Sequence, residues 1–230
     1  MNAAVPSSLL TLTGFTLPSG AGCYERIVLQ AGDARVLLLT DEDLRAFELL
    51  LLGVNADGDG EVFFNGISPK DEQRWTPAQA GRVARTFSPV SSTGCWIENL
   101  DVDENILLPL LMRGESAGKA RERAMVLAKR FGLPALPGGR RGQTPPGTLS
   151  VCQWVRAFVN TEARLFLMVD PLRRAPRQAV EELGRAAGER QKQGAAFLWV
   201  LPADSAHQIA TLGMNENSLV VPSTSNPPSS

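Results

Sequence analysis

The chain has 230 residues, with 23 basic against 24 acidic side chains and 43% hydrophobic residues, a balance that suits one compact globular domain or two closely joined lobes. Near-neutral charge offers no general attraction to nucleic acid or anionic lipid; Cys23, Cys95 and Cys152 lack disulfide-framework or zinc spacing, and the single His207 rules out histidine-cluster metal chemistry. No run of about 18 apolar residues occurs, and the opening MNAAVPSSLL has no basic segment ahead of an apolar core, so the expectation is a soluble cytoplasmic protein with no nucleic-acid partner and no direct membrane insertion.

Residues 9–17 and 24–29 alternate polar with β-forming side chains and are separated by Pro18, Gly20 and Gly22, which predicts two antiparallel strands. Residues 35–39 (RVLLL) form the apolar run of a strand covered on both faces. A helix start follows at once: Thr40 suits the N-cap with Asp43 as its partner three residues on, and Asp41, Glu42 and Asp43 sit at the positive end of the helix dipole. Gly53 is expected to stop that helix, and 55–66 (NADGDGEVFFNG) gives a turn, a strand and a turn. Residues 69–86 are polar and contain Trp75; 85–87 suggest a short strand leading into a loop over 88–94.

A helix is predicted over 101–112, interrupted by Pro109, and a charged one over 117–131 with Ala120, Ala124, Leu127 and Phe131 at helical spacing. After a breaker-rich loop at 133–147, Ser150 is the expected cap of a helix reaching about Ala163. Then come a buried strand over 165–169 ending in Asp170-Pro171, a helix over 177–193, a buried strand over 195–201 and a short helix over 205–212. Residues 222–230 read as a disordered tail. Strands alternating with helices imply an α/β fold around a parallel sheet.

Two segments carry a resemblance. GEVFFNG (60–66) is similar to "SGEVLFDG", and NLDVDENILLPLLMRG (99–114) to "NLTVxENVxLPLxxRG", both from the nucleotide-binding domains of ABC transporters, especially bacterial cassettes of the lipid-export and solvent-resistance type. The resemblance covers 9–221. It implies a P-loop-NTPase-like cassette of one domain, 1–221, with a parallel-sheet core, an N-terminal antiparallel β part and a helical subdomain at about 92–150. It also implies a membrane permease subunit and a second cassette as partners, with the chain cytoplasmic and peripheral on the inner membrane through the permease. In a working member the cofactors are ATP and magnesium.

The residues that handle nucleotide in that family are replaced here. A phosphate loop needs glycines that free backbone N–H groups to surround phosphate, a Lys to neutralise it and a Ser/Thr to hold magnesium. Counting back from Gly53 puts Leu44 at the Lys and Arg45-Ala46 at the Ser-Thr, preceded by Asp41, Glu42 and Asp43. Those carboxylates repel a triphosphate within a Debye length of ~8 Å. Arg45 as a substitute cation is one residue out of register. Ser88 stands at the Q-loop glutamine; Ser150, Val151, Cys152 and Gln153 stand at the LSGGQ signature; Val169 stands at the Walker B aspartate. Asp170 takes the general-base position with a side chain one methylene short, Pro176 the D-loop aspartate and Pro202 the switch histidine, while Gly118-Lys119 lacks phosphate-loop spacing.

This pattern predicts a degenerate cassette, a non-hydrolysing structural or regulatory subunit with no resident cofactor and no metal. An authentic ATP-binding subunit and a free-standing interaction module are the alternatives. Several residues keep two readings: Asp170 as residual base or turn cap, His207 as displaced switch or exposed helical residue, Cys152 as redox handle or core. Residues 96–114 are read as core or permease contact, and the pairs Arg140-Arg141 and Arg173-Arg174 as phosphate contacts or solvated loops.

Overall fold

The structure is a computed structural model that describes residues 8–19, 23–51, 60–68 and 76–222. The readings of Gly53, Trp75 and the tail beyond 222 fall outside those residues. Thirteen α-helices and β-strands are defined among the described residues, in the chain order β1 (Leu10–Thr16), β2 (Cys23–Leu29), β3 (Ala34–Leu39), α1 (Asp41–Leu51), β4 (Glu61–Phe64), α2 (Pro77–Thr86), β5 (Phe87–Val90), α3 (Val102–Leu111), α4 (Ala117–Arg130), α5 (Pro146–Phe158), β6 (Leu165–Val169), α6 (Arg177–Lys192) and β7 (Ala196–Pro202).

They build two sheets. One is antiparallel in the order β2-β1-β4, with Leu10 opposite Leu29 on one side and Phe64 on the other. The other is parallel in the order β3-β7-β6-β5. Its central strands are apolar throughout because both faces are covered. Alternation along β6 and β7 then sends side chains to two separate cores. Phe166, Met168, Phe197, Trp199 and Leu201 face a cluster built with α3, α4, α5 and α6. Leu165, Leu167, Val169, Leu198 and Val200 face a second cluster shared with α1 and the antiparallel sheet. The first holds an aromatic file in which Phe166 stacks on Phe197 at 4.6 Å and Phe197 on Trp199 at 5.7 Å.

The differences from the sequence reading have local causes. The polar stretch before β5 contains α2, closed by a capping box in which Gln79 N donates to Thr76 Oγ1 and Thr76 N to Gln79 Oε1. Of its residues Val83 alone is buried, so no apolar period announces it. Ser88 lies within β5 opposite Phe166, not in a loop. Pro109 does not interrupt α3: it sits in the last turn and the helix runs through to Leu111. Ser150 is not a cap. Pro145 caps α5 and Pro146 opens it, so the helix begins a turn earlier than read, and it ends at Phe158 because Asn160 holds the next turn through Glu162 N. The short helix expected over 205–212 is a 3-10 helix over Ala203–Gln208.

Candidate functional site

In a parallel α/β sheet, ligands bind beyond the carboxyl ends of the strands, where β3 passes into α1 and β6 ends at Asp170. The link from β3 to α1 is a single residue, Thr40. Strand ends at Leu39, helix begins at Asp41, and Leu44 N already donates to Thr40 O at 2.9 Å. The helix therefore occupies the stretch of chain that a phosphate loop would need. Its first turn is closed from within: Asp43 N donates to Thr40 Oγ1 at 3.2 Å and Thr40 Oγ1 to Asp43 Oδ2 at 2.9 Å.

Asp43 is buried. Beyond Thr40 it accepts from Ser19 N at 3.0 Å and Ser19 Oγ at 2.6 Å, which pins the chain just after β1 to the helix start. Burial pushes its carboxyl up, but the bonds from Ser19 and Thr40 outweigh burial and hold it below the ordinary value. Asp41, Glu42 and Arg45 are exposed, and Ala46 is half-buried. Leu44 and Val169, at the positions read as phosphate-loop lysine and Walker B aspartate, are both inside the apolar cluster under the antiparallel sheet.

Asp170 follows Val169 with a left-handed φ of 46° and is buried. Arg173 binds it, Nε to Oδ2 at 2.5 Å, and reaches Asp41 Oδ1 at 3.1 Å, so one guanidinium bridges the ends of β6 and β3. Burial raises the Asp170 carboxyl above its ordinary range; Arg173 opposes the shift, and Asp41 and Asp204 add to it. As a turn residue its N–H donates to Val200 O at 2.8 Å. Pro202 ends β7 opposite Leu39, half-buried, and His207 is exposed, its Nδ1 3.0 Å from Asp204 O.

The residues read as the signature lie inside α5. Val151 and Cys152 are core side chains, and burial pushes the Cys152 thiol up to about 12 against the pull of Arg156. Ser150 Oγ donates to Arg173 O at 2.7 Å. Gln153 is buried with Oε1 unpartnered. The two prolines at the start of α5, Pro145 and Pro146, remove two of the N–H groups that a helix N-terminus offers an anion. Ser88 is buried in β5, its Oγ accepting from Asn160 Nδ2 at 3.1 Å. Sequence spacing thus brings 41–46 and 169–170 to the same end of the sheet, and Arg173 joins 150, 170 and 41. Ser19, 24 residues from Asp43 along the chain, was missed because nothing local marks it.

Solved structures of similar fold include ATP-binding parts of ABC transporters. An ATP-binding subunit of an ABC transporter matches with a TM-score of 0.67 at 18% identity, over 93% of this chain and 88% of that one. An ATP-binding cassette of an ABC transporter in its ADP conformation matches with a TM-score of 0.55 at 15% identity, over 85% and 81%. The chain has the ABC cassette fold. No protein-family profile and no curated protein matches the sequence. No helix among the described residues is long and apolar enough to cross a membrane.

Proposed function

We propose that this cassette-fold chain is a non-hydrolysing subunit of a transport complex, with a structural or regulatory role beside a membrane permease subunit and a second cassette. The observation that carries the reading is the one-residue link between β3 and α1: a Gly-rich loop surrounds phosphates with successive backbone N–H groups, and Thr40 alone cannot. The residues around it do not fit magnesium ATP either. Leu44 and Val169 are packed in an apolar cluster, Asp43 caps the helix end that would face phosphate, and Arg173 spans the gap between Asp41 and Asp170. No catalytic step is assigned to Asp170, which has no metal-binding neighbour at Val169 to work with.

Exposed Ile97, Leu111 and Met112 within 96–114 support a protein contact there, and the permease is the partner that the fold suggests. That contact would hold the chain at the cytoplasmic side of the membrane. Isothermal titration with ATP and magnesium tests the reading. No saturable heat that depends on residues 41–46 is expected at micromolar ATP. Magnesium-dependent binding abolished by changing residues 41–46 would overturn it in favour of an authentic ATP-binding subunit, the reading favoured by the fold likeness alone.

A further inference from the structure

The two arginine pairs singled out in the sequence meet. A cleft of about 640 Å³ lies between the loop before α5 and the turn after β6, and Arg140, Arg141, Arg173 and Arg174 all line it, against the carboxylates of Glu98 and Asp170. That volume is in the range of small-molecule sites. Two of the four guanidiniums are weakly committed: Arg141 is 3.8 Å from Glu98, and Arg174 has no ion-pair partner among the described residues. Arg140 stands 3.3 Å from Asp101, while Arg173 is engaged by Asp170 and Asp41.

The second observation is Gln153. It lines the same cleft, is 8% exposed, and its amide oxygen is buried without a hydrogen-bond partner. Buried polar groups in folded proteins are partnered, and an exception calls for an explanation. Trp96, also in the lining, is held by Arg156, whose guanidinium sits 4.8 Å over the indole and donates to Gly94 O at 2.5 Å, so that wall is fixed.

We propose that this cleft binds a small phosphorylated molecule, its phosphate groups held by the arginine pairs 140–141 and 173–174 and a polar group of the ligand met by the Gln153 amide. Guanidinium groups match phosphate oxygens in paired hydrogen bonds, and the cleft gathers four of them from two separate segments of one chain. Positioning by the fold is visible at Gly147, where an added Cβ would stand 2.7 Å from Arg174 O. The turn bearing Arg173 and Arg174 is therefore seated directly on α5. The site goes beyond the proposed transport role and uses none of residues 40–46.

The test is titration of the full chain with inorganic pyrophosphate. Saturable binding is expected, weakened at least fivefold by Arg141→Ala and by Arg174→Ala, and weakened again as salt rises. Arg141 and Arg174 are exposed, so their variants should keep the parent melting temperature, and a loss of binding in them reports the site. Absence of pyrophosphate binding, or an affinity indifferent to the two arginine variants, overturns the proposal. So does retention on phosphatidic-acid vesicles without pyrophosphate binding, which would assign the arginines to a lipid surface. ATP binding lost on changing residues 41–46 would overturn the non-hydrolysing reading and leave this one to the pyrophosphate result.

Discussion

Asp43 does the opposite of what a phosphate site asks of a helix N-terminus: it brings a negative charge of the chain's own and surrounds it with donors. Three hydrogen bonds from Ser19 and Thr40 reach one buried carboxylate, and bonds to a charged group contribute about 1.5–3 kcal/mol. Asp43→Ala should therefore lower stability by roughly 2–3 kcal/mol, read as a fall in the urea midpoint, whereas Asp41→Asn and Glu42→Gln, at exposed positions, should shift it little. The folded-state carboxyl titrates below the ordinary value, so its contribution is complete above about pH 4 and is lost as pH falls through the folded value. Urea midpoints measured from pH 5 downward should drop in the parent chain, and less steeply in Asp43→Asn. Cys152 gives a second residue-scale expectation. Buried in the core, with its thiol pushed up to about 12, it should resist alkylation in the native protein while exposed Cys95 reacts; equal labelling of both would contradict the packing of α5.

Helices α3 and α6 show how elements are fixed by contacts that spacing does not reveal. Asn105 is buried in α3, accepts from Ile97 N at 2.8 Å, and donates to Ile97 O and Asp101 O at 3.1 and 3.0 Å, so the loop before the helix is laced to the helix itself. Asn105→Ala leaves Ile97 N and several carbonyls unmatched and should cost about 1–3 kcal/mol. In α6, a Cβ at Gly184 would fall 2.9 Å from Leu212 Cα and 3.0 Å from Thr211 O, both backbone atoms. Gly184→Ala should thus lower the melting temperature by pushing the 209–213 segment away, at about 1–3 kcal/mol; an unchanged melting temperature would show that this segment is not seated on the helix. The sequence makes α4, α6, β6 and β7 legible because their apolar periods are strong and their ends are marked. It hides α2, whose exposed face carries no period, although Thr76-Pro77-Ala78-Gln79 spells its cap. It also misplaces the start of α5, where Pro145-Pro146 was the better sign than Ser150. Thr40 as the hinge into α1 is readable locally, while Arg173 reaching Asp41 across 132 residues belongs to the fold alone.

At the scale of the whole molecule, the positions read as phosphate-loop lysine and Walker B aspartate, 44 and 169, are not independent of each other. Leu44 comes from α1 and Val169 from β6, and both complete one apolar layer between the parallel and antiparallel sheets, at 4% and 1% exposure. A chain that had lost only its catalytic side chains would regain function when they are returned. On the non-hydrolysing reading that does not hold here, because Leu44 and Val169 are packed within the layer and Thr40 alone joins β3 to α1. Leu44→Lys combined with Val169→Asp is therefore expected to restore nothing. Burying an ionised group without its full set of partners costs several kcal/mol, against a total stability of about 5–15 kcal/mol for a domain, so the double variant should melt well below the parent and hydrolyse no ATP in magnesium. Each single variant should fall less far, which separates a packing penalty from a failure to express. Magnesium-dependent hydrolysis by a double variant that keeps the parent melting temperature would mean that the link at Thr40 opens into a loop, and the non-hydrolysing reading would fall with it.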